Sequence, residues 1–446
     1  MSKAGRLSVN GLALKSVSSI SIVLSAVMAQ SIYADTAFSS ESSWMLGDWK
    51  GQRTALSQHG YDFSLGYTGE SATLLDSSRD SDHQTEFSGQ LALGAQLDSA
   101  TLLDSSRDSD HQTEFSGQLA LGAQLDLEKI LGWQDTEANI TVTWRDGRNL
   151  SNTSEALSGQ MSSVQEVWGR GQTWRLTDLW IKKKFFDEKL DIKVGRFGEG
   201  EDFNSFDCNF QNLALCGSQM GNWAGDQWYN WPVSQWAARV KYQLSPELYT
   251  QVGVYEYNPE NLERGKGFNL STDGSHGALI PMEVVWQPQT NLPAEYRAGY
   301  LRSTVDAQTI NDASKTDHRQ GFWLSGKQQL TQHTDDAIRG LTAFFNATWF
   351  DEDTNAVVDM QNLGLSYKGL ADHRPQDEIA LGFSRIHLNE DLDNRDVEFN
   401  TELYYGIHVN NWLTVRPNVQ YISHIGAIDD ESDDAWVGGI KFMTAF

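Results

Sequence analysis

The sequence predicts an all-β protein: a closed, transmembrane antiparallel β-barrel of about 16 strands, preceded by a short N-terminal periplasmic helix. Three observations predict it. Segment after segment alternates polar and apolar residues with a period of two, as in Tyr61-Asp-Phe-Ser-Leu-Gly-Tyr67 and Phe399-Asn-Thr-Glu-Leu-Tyr-Tyr-Gly-Ile-His-Val409. These segments run to about ten residues, the length a tilted strand needs to cross a bilayer, and aromatics gather near their ends. The chain closes on Ile440, Phe442 and Phe446, all on one face of a last alternating segment. A closed, even-stranded barrel is the β arrangement that leaves no unpaired backbone in lipid.

Composition excludes the alternatives. Hydrophobic residues make up 39% of the 446 residues, below the roughly 45–50% of soluble globular domains, and the mean hydropathy is -0.48. Aromatics nevertheless reach 11%, and 38 Gly stand against 8 Pro. Acidic disorder would be poor in aromatics. A formal charge of -26 provides no net positive field for nucleic acid.

The elements follow in order. Lys3, Arg6 and Lys15 precede an apolar stretch from Ile20 to Ala29, the pattern of a secretory signal. Residues 1–34 are read as that signal, with cleavage after Ala34 and Ala29 as the second choice; its removal leaves the chain three charges more negative. Residues 35–60 are read as a periplasmic or plug segment in which Asp48–Gln58 has helical spacing, and residues 61–446 as the barrel. Strands are expected to start near Tyr61, Phe115, Asn139, Leu176, Leu190, Trp236, Tyr249 and Met282. The second half adds starts near Glu295, Phe322, Leu341, Leu363, Ile379, Val397, Leu413 and Trp436. Short turns such as Asn410-Asn411 are expected to alternate with longer, acidic connections, which carry most of the excess negative charge.

Residues Ser71–Asp98 recur letter for letter as Ser99–Asp126. A solenoid repeat drifts and occurs at least three times, so the identical pair reads as a duplication. One extra strand would leave the barrel odd. Two would require the five residues Ser99–Leu103 to cross the bilayer, whereas a crossing takes about 9–11. The second copy is therefore expected to be looped out as an enlarged external connection.

Cys208 and Cys216 are the two cysteines. In an exported chain so close a pair is expected to form a disulfide, here tying a connection folded over or into the pore. Their spacing, with no His nearby, is not a zinc pattern. No metal or cofactor is expected. The ten His form no H-E-x-x-H motif, and no G-x-S-x-G elbow occurs. Gly321-Phe-Trp-Leu-Ser-Gly326-Lys327 imitates a phosphate loop, but Gln328 follows and the run alternates like a strand.

The residues of opposite parity define the lumen, with Arg145, Asp178, Lys182, Arg239, Lys241, Arg297, Glu398, Glu402 and Arg416 among them. Several blocks then resemble a known family. Gly47-Asp-Trp-Lys-Gly-Gln-Arg-Thr-Ala-Leu56 and Gly60-Tyr-Asp-Phe63 resemble the N-terminal signature of the carbohydrate-selective porins of the OprB family. Gln118-Leu-Ala-Leu-Gly-Ala-Gln-Leu-Asp126, Arg145-Asp-Gly-Arg-Asn-Leu-Ser151, Val194-Gly-Arg-Phe197 and Trp231-Pro-Val-Ser-Gln-Trp-Ala-Ala-Arg-Val-Lys241 are similar to its later blocks. The resemblance implies a 16-stranded barrel passing sugars, glucose above all, down a concentration gradient across the outer membrane. It offers no counterpart to the second 28-residue copy.

Sugar hydroxyls need donors and acceptors, and a sugar's C–H face packs on an aromatic ring. The candidates for those roles are Arg145, Arg239, Arg416, Glu398 and Glu402 on the lumen parity, with Trp228 and Trp231 from the cysteine-bearing connection. The bland alternatives are interior charges that brace the barrel and tryptophans of an interfacial girdle. The expected partners are small sugars, outer-membrane lipid and lipopolysaccharide, and a homo-oligomer; no nucleic acid is expected. A general diffusion porin and an outer-membrane lipid hydrolase are the alternative functions. The latter needs only Ser, His and a polar partner from separate strands.

Overall fold

A computed structural model describes residues 36–78, 112–224, 227–333, 336–392, 396–428 and 433–446. The signal and its cleavage site lie outside the described residues. The first eight strands are β1 (Tyr61–Ser77), β2 (Thr113–Asp126), β3 (Thr136–Gly147), β4 (Trp174–Phe185), β5 (Leu190–Phe197), β6 (Gln235–Ser245), β7 (Leu248–Tyr257) and β8 (Gly277–Trp286). The remainder are β9 (Ala294–Gln308), β10 (Thr316–Gln329), β11 (Gly340–Phe350), β12 (Val357–Lys368), β13 (Glu378–Leu388), β14 (Val397–Asn410), β15 (Leu413–Ser423) and β16 (Asp434–Ala445). Each pairs antiparallel with its neighbours in sequence, and β1 pairs with β16 to close the barrel. Every expected strand is present.

The period of two divides the wall into faces. Leu121, Leu363, Leu381 and Leu403 stay outward and exposed, the side that faces lipid. Aromatic pairs band both rims: Trp144 on Trp174, Phe322 on Trp349 and Tyr421 on Trp436 at one end, Trp286 on Tyr296 at the other. Such rings suit the headgroup level, where one end of the side chain is wet and the rest apolar.

The duplication adds no strand among the described residues. β1 takes Ser71–Ser77 from the first copy, β2 takes Thr113–Asp126 from the second, and Thr73 pairs with Thr113. The surplus length falls in 79–111, outside the described residues.

The helix predicted over Asp48–Gln58 is shorter, α1 (Gln52–Gln58), because Gly51 has φ 86° and cannot continue a helix backward. This N-terminal segment packs on the barrel end that carries the short turns. Met45 N–H donates to the Ala445 carbonyl at 2.8 Å, and the Trp412 indole donates to the Ser39 carbonyl at 2.9 Å. Arg53 lies between the rings of Trp44 and Trp49. Its guanidinium donates to the carbonyls of Phe446 and Phe63, fastening β1 to the end of β16.

The expected alternation of short and long connections holds only in the first half. The connections 148–173 and 198–234 are long, whereas 309–315 and 351–356 are as short as turns at the other end. The two long ones enter the barrel. From 198–234, Phe203, Met220 and Trp228 are buried against Tyr255, Leu279, Trp323, Met360 and Ile386 of the inner wall, and Leu215 against Ala380 and Tyr404. Leu150, Leu157 and Val164 of 148–173 are buried with Ala72, Ile422 and Val437. The lumen is thus apolar as well as polar, because protein rather than water fills that part. Gly382 lets the insert come close to the wall: a Cβ there would stand 2.9 Å from Leu215 Cδ1.

Candidate functional site: the constricted lumen

An irregular segment inside a barrel carries backbone N–H groups that water cannot all reach, and buried donors need acceptors. Wall carboxylates supply them. Glu398 accepts from the N–H groups of Met161 at 2.8 Å, Ser162 at 3.2 Å and Gly426 at 2.9 Å. Glu402 accepts from Gln211 and from Asn212, the latter at 2.7 Å. Glu70 accepts from Val167 and Glu283 from Asn204. The two connections also bond each other, through Ser162 Oγ to Asn212 Oδ1 and Leu213 N–H to the Ser163 carbonyl.

This geometry corrects the sugar-contact expectation for two residues. Glu398 and Glu402 lie on the lumen parity, as read, but they are 0% and 1% exposed, and their oxygens are taken by the inserted backbone. They hold the constriction rather than line it. Trp228 is corrected in the same way. It is 0% exposed and meets Trp323 edge-on at 5.8 Å, with its indole donating to Asn230. It is neither girdle nor sugar platform but the core of the inserted connection.

The arginines separate. Arg239 is buried and pairs with Asp191 at 2.8 Å and Asp202 at 3.5 Å, bracing β5 and β6 against the inserted segment Glu199–Asp202. Arg416 is half-buried; it lies 5.4 Å from the Tyr404 ring and donates to Asn209 Oδ1 at 3.2 Å. Arg145, buried like Arg239, and the half-buried Trp231 converge on a third residue. Gln118 Oε1 on β2 accepts from Arg145 Nε at 2.7 Å and from the Trp231 indole at 3.0 Å. The sequence put Arg145 and Trp231 among the candidates but missed Gln118. Its inward parity beside Arg145, visible in the β2–β3 register Gln118↔Arg145, was the signal available.

Lys441 was missed too, although it shares that parity. It is 1% exposed and pairs with Glu166 at 2.8 Å and Glu70 at 3.3 Å, joining β1, β16 and the β3–β4 connection. It also donates to the Phe210 carbonyl inside the Cys208–Cys216 disulfide loop. That disulfide is formed, as expected, and the residues it encloses are those that dock on Glu402. Within the connection Glu199 is fully buried, and loss of water raises its carboxyl to about 8, although it accepts from the Tyr229 N–H and lies near Arg170.

A closed sixteen-stranded barrel whose bore is narrowed by inserted connections defines a porin, a channel of the Gram-negative outer membrane. The chain belongs to the family described as carbohydrate-selective porin, OprB family, whose model matches residues 110–446. Porin B of Pseudomonas aeruginosa is 47% identical, covering 94% of this chain and 95% of its own length. Putative porin QuiX of Acinetobacter baylyi is 39% identical across 96% of this chain and 99% of its own. The high-pH structure of Pseudomonas putida OprB matches with a TM-score of 0.83 at 49% identity, covering 92% of this chain and 100% of that one. The protein is an outer-membrane, carbohydrate-selective channel and not an enzyme.

Proposed function

We propose that the channel passes neutral monosaccharides, glucose first among them, by passive diffusion, and that Gln118 and Trp231, positioned by Arg145, make the selective contact. The observation that carries this reading is the shared acceptor. One amide oxygen fixes an arginine and an indole side by side, so a donor fork and an aromatic ring stand together at the wall of β2 and β3. A sugar offers its C–H face to the half-buried Trp231 ring and its hydroxyls to the half-buried Gln118 amide, while the buried Arg145 sets the direction of that amide. Water competes for each hydrogen bond, so affinity near millimolar is expected, which also lets the sugar leave. Current through planar bilayers, recorded with and without glucose, tests this. Trp231→Ala and Arg145→Gln should each weaken glucose block. Full glucose block in both variants would overturn the assignment.

The outward apolar band is the surface that membrane lipid and lipopolysaccharide would cover, and a homo-oligomer would bury part of the same band. Cross-linking in intact outer membranes separates monomer from oligomer.

A further inference from the structure

A second cavity lies off the constriction. It has a volume of about 260 Å³ and sits between the tip of the β5–β6 connection and the inner wall of β10–β14. Its lining reaches Ile338 in the β10–β11 turn and Lys368 and Glu378 at the turn-proximal ends of β12 and β13, so it opens toward the barrel end with the short turns. Four rings form a continuous wall: Phe206 meets Phe344 at 5.6 Å, Phe344 meets Phe210 at 5.7 Å, and Phe210 meets Tyr404 at 4.9 Å. Phe210 and Tyr404 are buried in that cluster, whereas Phe206 and Phe344 remain half-buried and keep ring surface open.

The rest of the lining is polar and balanced in charge. Lys327 pairs with Asp207, and the Tyr404 hydroxyl donates to Glu378. Ser366 and Asn209 add uncharged hydrogen-bonding groups, and Arg416 reaches Asn209 from beside the Tyr404 ring. Open ring surface next to paired charges and neutral polar groups favours an uncharged, polyhydroxylated ligand over an ion or an apolar one.

We propose that this cavity is a second carbohydrate site, a station between the constriction and the periplasm that receives a monosaccharide and releases it. The proposal rests on the reading of Gln118, Arg145 and Trp231 as the first contact. It also gives Arg416 a place in the pathway, as the residue that holds Asn209 at the rim.

Glucose-induced current noise in planar bilayers, with glucose on the short-turn side, tests the second site. The unaltered porin is expected to show two relaxation components. Phe206→Ala removes an open ring and should weaken binding in one component by roughly three- to tenfold. Ser366→Trp fills the cavity and should abolish that component. Trp231→Ala should remove the other. Heat-modifiable migration on a gel checks that each variant barrel is folded. A single component that Trp231→Ala abolishes, and that both cavity variants leave unchanged, would overturn the second site alone. No glucose-dependent component in the unaltered porin would overturn the constriction reading as well.

Discussion

Arg145 and Trp231 are separated by 86 positions in the chain and meet on one atom, Gln118 Oε1, which accepts from both. Each donor has its direction set by the same amide, so neither is free to reorient without disturbing the other. Gln118→Leu should therefore impair both at once, leaving a folded barrel whose glucose block is weakened at least as much as in either single variant. Retention of full block in Gln118→Leu would show that the amide positions nothing.

The buried carboxylates offer a different lever. A buried donor left unsatisfied costs about 1–3 kcal/mol, and Glu402 accepts from two backbone N–H groups. Glu402→Gln presents an amide N–H₂ to donors and should loosen the Cys208–Cys216 segment. Single-channel conductance should rise and become noisier, with less preference for sugar. Conductance equal to that of the parent would mean that the segment is held by apolar packing alone.

Reduction addresses the same segment from within. Mass spectrometry of protein purified without reductant should find Cys208 and Cys216 joined; two free thiols would contradict the structure. Cys208→Ser with Cys216→Ser should raise current noise, because the enclosed residues then dock on Glu402 without a covalent tie.

Glu199 predicts a pH dependence. Burial raises its carboxyl to about 8, so the folded connection prefers the protonated form. The sign follows by linkage: the contribution is fully present below the ordinary carboxyl range and fades as pH climbs through about 8. Current noise from the β5–β6 connection should increase on the alkaline side, and Glu199→Gln should flatten that dependence. An unchanged alkaline profile in Glu199→Gln would assign the effect elsewhere.

The duplication can be tested by removal. Deleting Ser71–Asp98 joins Glu70 to Ser99 and restores the β1 and β2 sequences letter for letter, with inward and outward parity preserved. The shortened barrel should keep its heat-modifiability and glucose block. Protease added to intact cells should clip the full-length protein between residues 79 and 111; protection there would count against an external loop.

The barrel was legible in the sequence because strand periodicity is local. Any window of ten residues around Tyr61 or Phe399 carries it, and the inward parity of Arg145, Arg239, Arg416, Glu398 and Glu402 followed directly. What parity could not tell is which inward residues meet solvent. Glu398 and Arg416 share the inward parity, yet Arg416 stays half-buried while Glu398 is consumed by the backbone of residues 161–162, some 236 positions away. Trp228 and Trp231 are three residues apart, but only the first falls among the inner-wall residues around Trp323. Those outcomes depend on where an irregular connection docks, and irregular backbone has no period to read.

The fastening of the two connections has a consequence for any attempt to retool the channel. The strands supply matched sockets, Glu70, Glu283, Glu398 and Glu402, each facing particular backbone groups of the insert. A connection transplanted from a distant barrel would bring its own amide spacing and leave buried carboxyl groups without partners in a dry wall, at a cost of about 1–3 kcal/mol for each unmet group. Lineages that exchange one cargo for another must accordingly revise wall and insert in step, or else confine their changes to side chains such as Trp231 and Phe206 that the sockets never touch.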